Sequence, residues 1–351
     1  MEDFILTLVP LPDGRLVRVD CQLIGQPGLR RITLEEFQRL EELGARLAER
    51  PLKEITEVVK VGRDLFGRLF GKELADPFWE ASEKARDDGG LRVLLRFARD
   101  DRLQDLPWEL LHDGRWPLAL DPATAIARYI EMPQPIVVPR PRGRLRVLFT
   151  SACPPRAPRL DLGSEERRVR RALELAGLDL QIENQVTLKL LKLLLFQAEN
   201  TGKPFHVWHH AGHGFLDRQR NFHLVLEGGE EGRHVGTDEI SRILAQCPNL
   251  LAVVLNVCHG AALATSLACA KVPVAIGFRE QIPDRAALLF AERFYKSLPQ
   301  HSVEVALAHS RLALAYQGCP LLNWTNPVLY MRTTRVVRFV EERHGRPRGR
   351  A

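Results

Sequence analysis

Residues 250–260 read Leu-Leu-Ala-Val-Val-Leu-Asn-Val-Cys-His-Gly, an apolar run that ends in a thiol and a glycine. Six consecutive apolar residues, Leu250–Leu255, suit a strand buried on both faces, the kind found in parallel sheets covered by helices. Residues 205–214 repeat the design as Phe-His-Val-Trp-His-His-Ala-Gly-His-Gly, with a strand expected over Phe205–His210. Each strand runs straight into a reactive side chain, Cys258 or His213, followed by Gly260 or Gly214. In open α/β sheets functional groups gather at the carboxyl ends of strands.

Outward from these two stretches, strands and helices alternate. Strands are expected at Leu145–Thr150, Leu178–Asn184, Phe222–Leu226, Val272–Gly277 and Val328–Met331. Helices are expected at Leu162–Ala176, stopped by Gly177, and at Leu188–Ala198 and Ala261–Ala270. Further helices open at three caps: Thr237, running to Ala245; Asp284, to Leu298; and Ser302, to Tyr316. This pattern implies an α/β fold with a mostly parallel central sheet flanked by helices.

The first 142 residues read differently, as a smaller α+β region packed on or beside that sheet. Phe4, Leu6 and Leu8 alternate before Pro12-Asp13-Gly14, and Leu16, Val17 and Val19 follow, which signals a hairpin. Thr33 and Glu36 form a capping box. A second helix spans Leu52–Phe70 and ends at Gly71; a third opens at Asp76-Pro77 and stops at Asp87-Asp88-Gly89-Gly90. Leu91–Phe97 reads as a strand, and Leu106-Pro107-Trp108-Glu109-Leu110-Leu111 as a short helical start. Pro133, Pro135, Pro139 and Pro141, closing with Arg142-Gly143-Arg144, form the expected linker. The expected division is therefore 1–142, 143–335 and a basic tail over 336–351.

Composition narrows the classes. Hydrophobic residues make up 45% and charged residues 27% of 351, the balance of a folded chain rather than a disordered one. Met1-Glu2-Asp3 lacks a basic leader and no apolar run approaches the roughly 18 residues of a membrane span, so a cytoplasmic setting with no membrane partner is expected. Six scattered cysteines without a C-x-x-C pair suit free thiols. The net charge of +6 is spread along the chain, densest at Arg343, Arg346, Arg348 and Arg350, and no nucleic-acid motif accompanies it. It reads as a solubility device, and a nucleic-acid partner is not expected.

The chemistry follows from the two strand ends. A free thiol is mostly protonated at neutral pH and needs a base beside it, and imidazole is the side chain suited to that task. The glycines let the backbone approach a substrate carbonyl, so the amides of Gly214 and Cys258 are candidates for an oxyanion hole.

Several ordered motifs then resemble the CHAT family, a branch of the caspase and separase group of cysteine peptidases. They are H-x-x-G-H-G at His209–Gly214, L-N-x-C-x-G at Leu255–Gly260, Val274–Gly277 and Pro283-Asp284. Phe290, Phe294-Tyr295, Leu298, Ser302-Val303, Ala306-Leu307 and Arg311 continue the match, and Leu106–Leu111 resembles the family's amino-terminal L-P-W-E-L-L block. The resemblance covers about residues 55–332. It implies a caspase-like fold, with His213 and Cys258 as a catalytic pair that needs no third carboxylate. Their separation of 45 residues is close to the roughly 50 of caspases. It also implies a dedicated protein substrate, an upstream sensor or activator, and a setting in bacterial defence or signalling. Asn256 stands where related metacaspases carry an aspartate that holds a basic substrate residue, so specificity for Arg or Lys is not implied.

His209 and His213 are four apart as in metalloprotease helices, yet the segment reads as strand and no Glu follows His209, so no metal and no cofactor is expected. No G-x-x-x-x-G-K-[ST] or G-x-G-x-x-G occurs. The other five cysteines, including Cys153, read as structural thiols. Asn256 and Asp284 are possible substrate-pocket residues, with a helix-cap reading favoured for Asp284. The expected function is a cysteine endopeptidase; the alternative is a catalytically silent caspase-like interaction module.

Overall fold

The computed structural model describes residues 1–25, 28–49, 52, 54–98, 101–141, 144–316 and 322–338. Cys319, the Arg142-Gly143 end of the expected linker, and tail residues Arg343, Arg346, Arg348 and Arg350 lie outside the described residues.

The amino-terminal half opens with strands β1 (Glu2–Leu11), β2 (Gly14–Asp20) and β3 (Leu29–Thr33). β1 and β2 form the expected hairpin, with Leu11 opposite Gly14. Gly14 has φ 146°, and a Cβ there would sit 2.1 Å from the Ile32 carbonyl oxygen, so only glycine fits the turn. Helix α1 (Leu34–Glu49) starts from the capping box: Glu36 N–H donates to Thr33 Oγ1 at 3.2 Å and Thr33 N–H to Glu36 Oε2 at 2.9 Å. α2 (Ile55–Ala85) is two helices abutting at Gly71, whose φ of 55° breaks the path as expected. β4 (Leu91–Phe97) and β5 (Thr124–Ile130) complete this half.

The second half runs β6 (Arg146–Ser151), α3 (Leu162–Leu175), β7 (Asp179–Glu183), α4 (Leu188–Asn200), β8 (Val207–Ala211) and β9 (His213–Leu216). It continues with β10 (Phe222–Leu226), β11 (Arg233–Gly236), α5 (Thr237–Leu244), β12 (Ala252–Asn256), α6 (Ala261–Cys269) and β13 (Val274–Phe278). Helices α7 (Asp284–Ser297) and α8 (Val303–Tyr316) precede the last strand, β14 (Pro327–Met331). Three caps differ from expectation. α5 starts after Gly236 with no side-chain cap. Asp284 is the first residue of α7, and its carboxylate accepts the Asp161 amide at 3.1 Å instead of capping its own helix. Among the described residues the Ser302 hydroxyl is buried without a partner, while its carbonyl takes the Ala306 amide.

Eleven strands form one sheet in the order β3-β2-β1-β4-β5-β14-β13-β12-β8-β6-β7. Pairing is parallel except at β1–β2, β2–β3 and β13–β14. The α/β class and the mostly parallel sheet are as expected. β9, β10 and β11 make a separate three-stranded antiparallel sheet. Along β12, Ala252 and Val254 enter one apolar core while Val253 and Leu255 enter the other. A strand covered on both faces has no polar side to show, hence its unbroken apolar run.

The expected boundary near residue 142 lies between β5 and β6, and the sheet crosses from one half to the other without a break. β14 returns from the far end of the chain and pairs with β5, placing Tyr330 beside Arg128. Buried ion pairs reinforce this seam. Glu109 meets Arg128 Nη2 at 3.0 Å and Arg311 Nη2 at 3.4 Å, and Arg92 binds both Asp3 and Glu304.

Candidate active site

β8 and β12 are parallel neighbours in register, with Ala211 opposite Asn256. Two residues beyond that pair, both chains turn at the same carboxyl edge, and the turns carry His213 and Cys258. Both side chains are partly exposed, as a site open to substrate requires. The turns touch: a Cβ on Gly214 would lie 2.6 Å from the Cys258 carbonyl oxygen and 2.7 Å from the Phe222 ring. Gly214→Ala is therefore expected to push β9 off the cysteine turn. It should lower any peptidase rate by about two orders of magnitude while costing only ~1–3 kcal/mol of stability. Paired rate and urea-denaturation measurements check this.

The cysteine turn is held from outside. His259 adopts φ 58°, an unusual conformation for a residue with a side chain, and leads through Gly260 into α6. Its N–H donates to Glu280 O at 3.3 Å and its Nδ1 faces Arg279 O at 3.3 Å, so the ring is occupied away from a second-base role. The segment 279–281 is in turn clamped by Asn326. Its Oδ1 accepts the Glu280 amide at 2.7 Å, its Nδ2 donates to Gln281 O at 3.0 Å, and its carbonyl accepts the Arg279 amide at 3.0 Å. Nothing in the sequence pattern marked Asn326.

The imidazole of His213 is oriented by the loop after β6. Its Nε2 lies 2.8 Å from Pro158 O. A carbonyl can only accept, so Nε2 carries a proton, and in the neutral tautomer with this bond the lone pair lies on Nδ1. Cys153 occupies the same loop, with Sγ 3.9 Å from His213 Nε2 and 3.5 Å from Pro158 O. Sequence reasoning left Cys153 as a structural thiol and passed over Pro158. The available signal was that Cys153, like Cys258, follows directly on an apolar strand.

Asn256 is 4% exposed and turned into the helix layer, where Nδ2 donates to Glu165 Oε1 and to Ala287 O at 3.2 Å. Glu165 Oε1 also meets His209 Nε2 at 2.8 Å, and His209 Nδ1 meets Tyr295 OH at 2.9 Å. Asn256 thus belongs to a buried polar network beneath the site, and its contacts are not those of a pocket wall. Asp284 ties the start of α7 to Asp161 in the His213-orienting loop region. Strand alternation puts His210 on the other face, where Nδ1 meets Thr150 Oγ1 at 2.8 Å and full burial drops its pKa to about 3, leaving the ring neutral. His206 Nδ1 accepts the Arg146 amide at 3.0 Å. Among the described residues no group of three His, Cys, Asp or Glu side chains could hold a metal ion, and no helix is long and apolar enough to cross a membrane.

The mostly parallel sheet of this α/β fold thus carries a histidine turn and a cysteine turn on neighbouring strands. The CHAT domain family model matches residues 60–332, most of the chain, and the protein belongs to that family. No curated protein sequence matches it. Among solved structures, the Drosophila initiator caspase Dronc is similar at 10% identity over 55% of this chain and 82% of that one, with a TM-score of 0.42. The Saccharomyces cerevisiae separase–securin complex is similar at 14% identity and TM-score 0.41 over 88% of this chain but 21% of the separase chain. Caspase-1 from Spodoptera frugiperda is similar at 12% identity, 61% and 96% coverage, and TM-score 0.40.

Proposed function

We propose that the protein is a cysteine endopeptidase that cleaves a specific protein substrate with Cys258 as nucleophile and His213 as base. The observation that carries this reading is the β8–β12 register, which brings two sequence-distant turns together at one sheet edge. With the Nε2 proton committed to Pro158 O, His213 Nδ1 is the nitrogen available to take the thiol proton. Cys258 Sγ then attacks the scissile carbonyl carbon. The amides of Gly214 and Cys258, beside the amino end of α6, hold the resulting oxyanion. Collapse breaks the C–N bond, the amine leaves with the proton from His213, and water hydrolyses the thioester to free the sulfur.

A dedicated protein substrate, an upstream activator, a reducing cytoplasmic setting and a role in bacterial defence or signalling complete the proposal. Among the described residues the five cysteines are free thiols, which suits that setting. A proteome-wide cleavage-site profile of the parental protein against Cys258→Ala tests it. New cleavage sites that vanish in the variant are expected. Sites that persist in Cys258→Ala and vanish in Cys153→Ala would move the nucleophile to the neighbouring strand. A profile identical in all three proteins would leave the silent-module reading.

A further inference from the structure

Outside the candidate active site, a cleft of about 510 Å³ lies between α7 and α8. Each helix contributes one stripe. Arg293, Lys296 and Gln300 line it from α7 and the turn beyond, and His309, Leu312 and Tyr316 from α8. Spacings of three, four and seven residues place the α8 set on one helix face, and Arg293 and Lys296 share a face of α7. The two stripes differ in character: one is cationic and polar, the other passes from an imidazole to an apolar floor and an aromatic ring. No carboxylate is among the lining residues.

Charge in the cleft is uncompensated at one position. Lys296 is paired with Glu292, one turn back on α7. Among the described residues Arg293 Nε is buried without a partner, and no ion pair or hydrogen bond to its guanidinium is made within them. A buried donor left unmet costs about 1–3 kcal/mol, so native structures rarely keep one without a use. His301 and His309 stand beside it edge to face, with centroids 4.9 Å apart, and His309 Nδ1 is held by Ser297 Oγ at 2.7 Å. Burial, and then the charge of His301, lower the His309 pKa, so a neutral ring fixed at Nδ1 presents Nε2 to the cleft region. Tyr316 is 64% exposed, which leaves its ring open to a ligand.

A planar guanidinium matches a phosphate group, and an exposed aromatic ring lining the same cleft matches a flat heterocycle. We propose that this cleft is a binding site for a nucleotide, with its phosphate on Arg293 and its base against Tyr316. The absence of a glycine-rich phosphate loop does not bear on it, because recognition here runs through side chains on two helices rather than through a loop backbone. The site stands apart from Cys258 and His213, and the proposal does not rest on the peptidase reading.

Calorimetric titration of the full chain with AMP, inorganic phosphate and adenosine tests it. AMP is expected to bind at a single site, phosphate more weakly, and adenosine more weakly than AMP. Arg293→Gln should weaken AMP about tenfold or more, and Arg293→Lys should recover only part of that, because the fork geometry is lost. Tyr316→Ala should weaken AMP and leave phosphate unchanged. Absence of AMP and phosphate binding at millimolar concentration would overturn the proposal. So would binding that Arg293→Gln leaves intact and added salt removes, the behaviour of an unspecific basic surface. An acidic peptide that binds in an Arg293-dependent way while AMP does not would overturn the ligand class.

Discussion

Glu109→Gln is expected to destabilise the protein by about 3–5 kcal/mol, because the change leaves buried guanidiniums without their counter-charge. Glu109 is 0% exposed and sits between Arg128 and Arg311, with Arg279 also within its field. Burial alone would raise the carboxyl; Arg128, then Arg311 and Arg279, outweigh it, and the group titrates below its ordinary value. Arg311 is pushed the other way, down to about 10, by burial, with Glu109 opposing the fall. Glutamine keeps the shape and some hydrogen bonding but removes the charge that makes the buried Arg128 and Arg311 tolerable. Total stabilities of about 5–15 kcal/mol make this a large loss, a fall in Tm of roughly 10 °C. The pH dependence has a defined sign. A carboxyl lowered on folding stabilises above its unfolded pKa, and that contribution disappears as pH falls through the folded value. The parental protein should therefore lose part of its advantage over Glu109→Gln in acid. Thermal melts across pH 3–7 (about the carboxylate range) measure both effects. An unchanged Tm at neutral pH would mean that the seam between the halves does not depend on this ion pair.

His213→Ala is expected to lower peptidase turnover at least about a thousandfold while leaving Tm nearly unchanged. The ring is partly exposed and its one close bond, to Pro158 O, replaces a bond to water at little net cost. The catalytic loss is large because no neighbouring group can take over. His259 is bonded to the 279–281 segment, and His209 and His210 are buried within or beneath the sheet. Iodoacetamide labelling gives a second readout that needs no substrate. Cys247, whose thiol burial raises to about 12, should stay unlabelled in both proteins, so a slowed reaction at Cys258 in the variant reports the lost base directly. A His213→Ala protein that turns over at the parental rate would remove the dyad from consideration.

Legibility differed from element to element. Apolar period and capping chemistry exposed the helices and seven strands of the second half, all but β9 and β11, because those signals act within a few residues. β3 and β5 escaped. β3 is Leu-Arg-Arg-Ile-Thr, an edge strand with only Ile32 buried. β5 is Thr-Ala-Ile-Ala-Arg-Tyr-Ile, and it carries Arg128, a charge that a buried strand tolerates because Glu109 is its buried partner. In the site, His213 and Cys258 were visible because each ends an apolar strand and precedes a glycine. Pro158 and Asn326 were not, since one acts through its backbone carbonyl and the other lies 68 residues beyond the cysteine it steadies.

By itself the sequence determined the kinds of elements, the buried strands and the two reactive side chains at strand ends, all consequences of local periodicity and backbone preference. Only the tertiary structure decided that both halves share one sheet, that Asn256 faces inward, and that Cys153 joins the surroundings of His213. Those outcomes rest on strand register and on buried charge pairs between residues up to 212 apart, such as Arg92 and Glu304. Pairings at that separation leave no periodic trace along the chain.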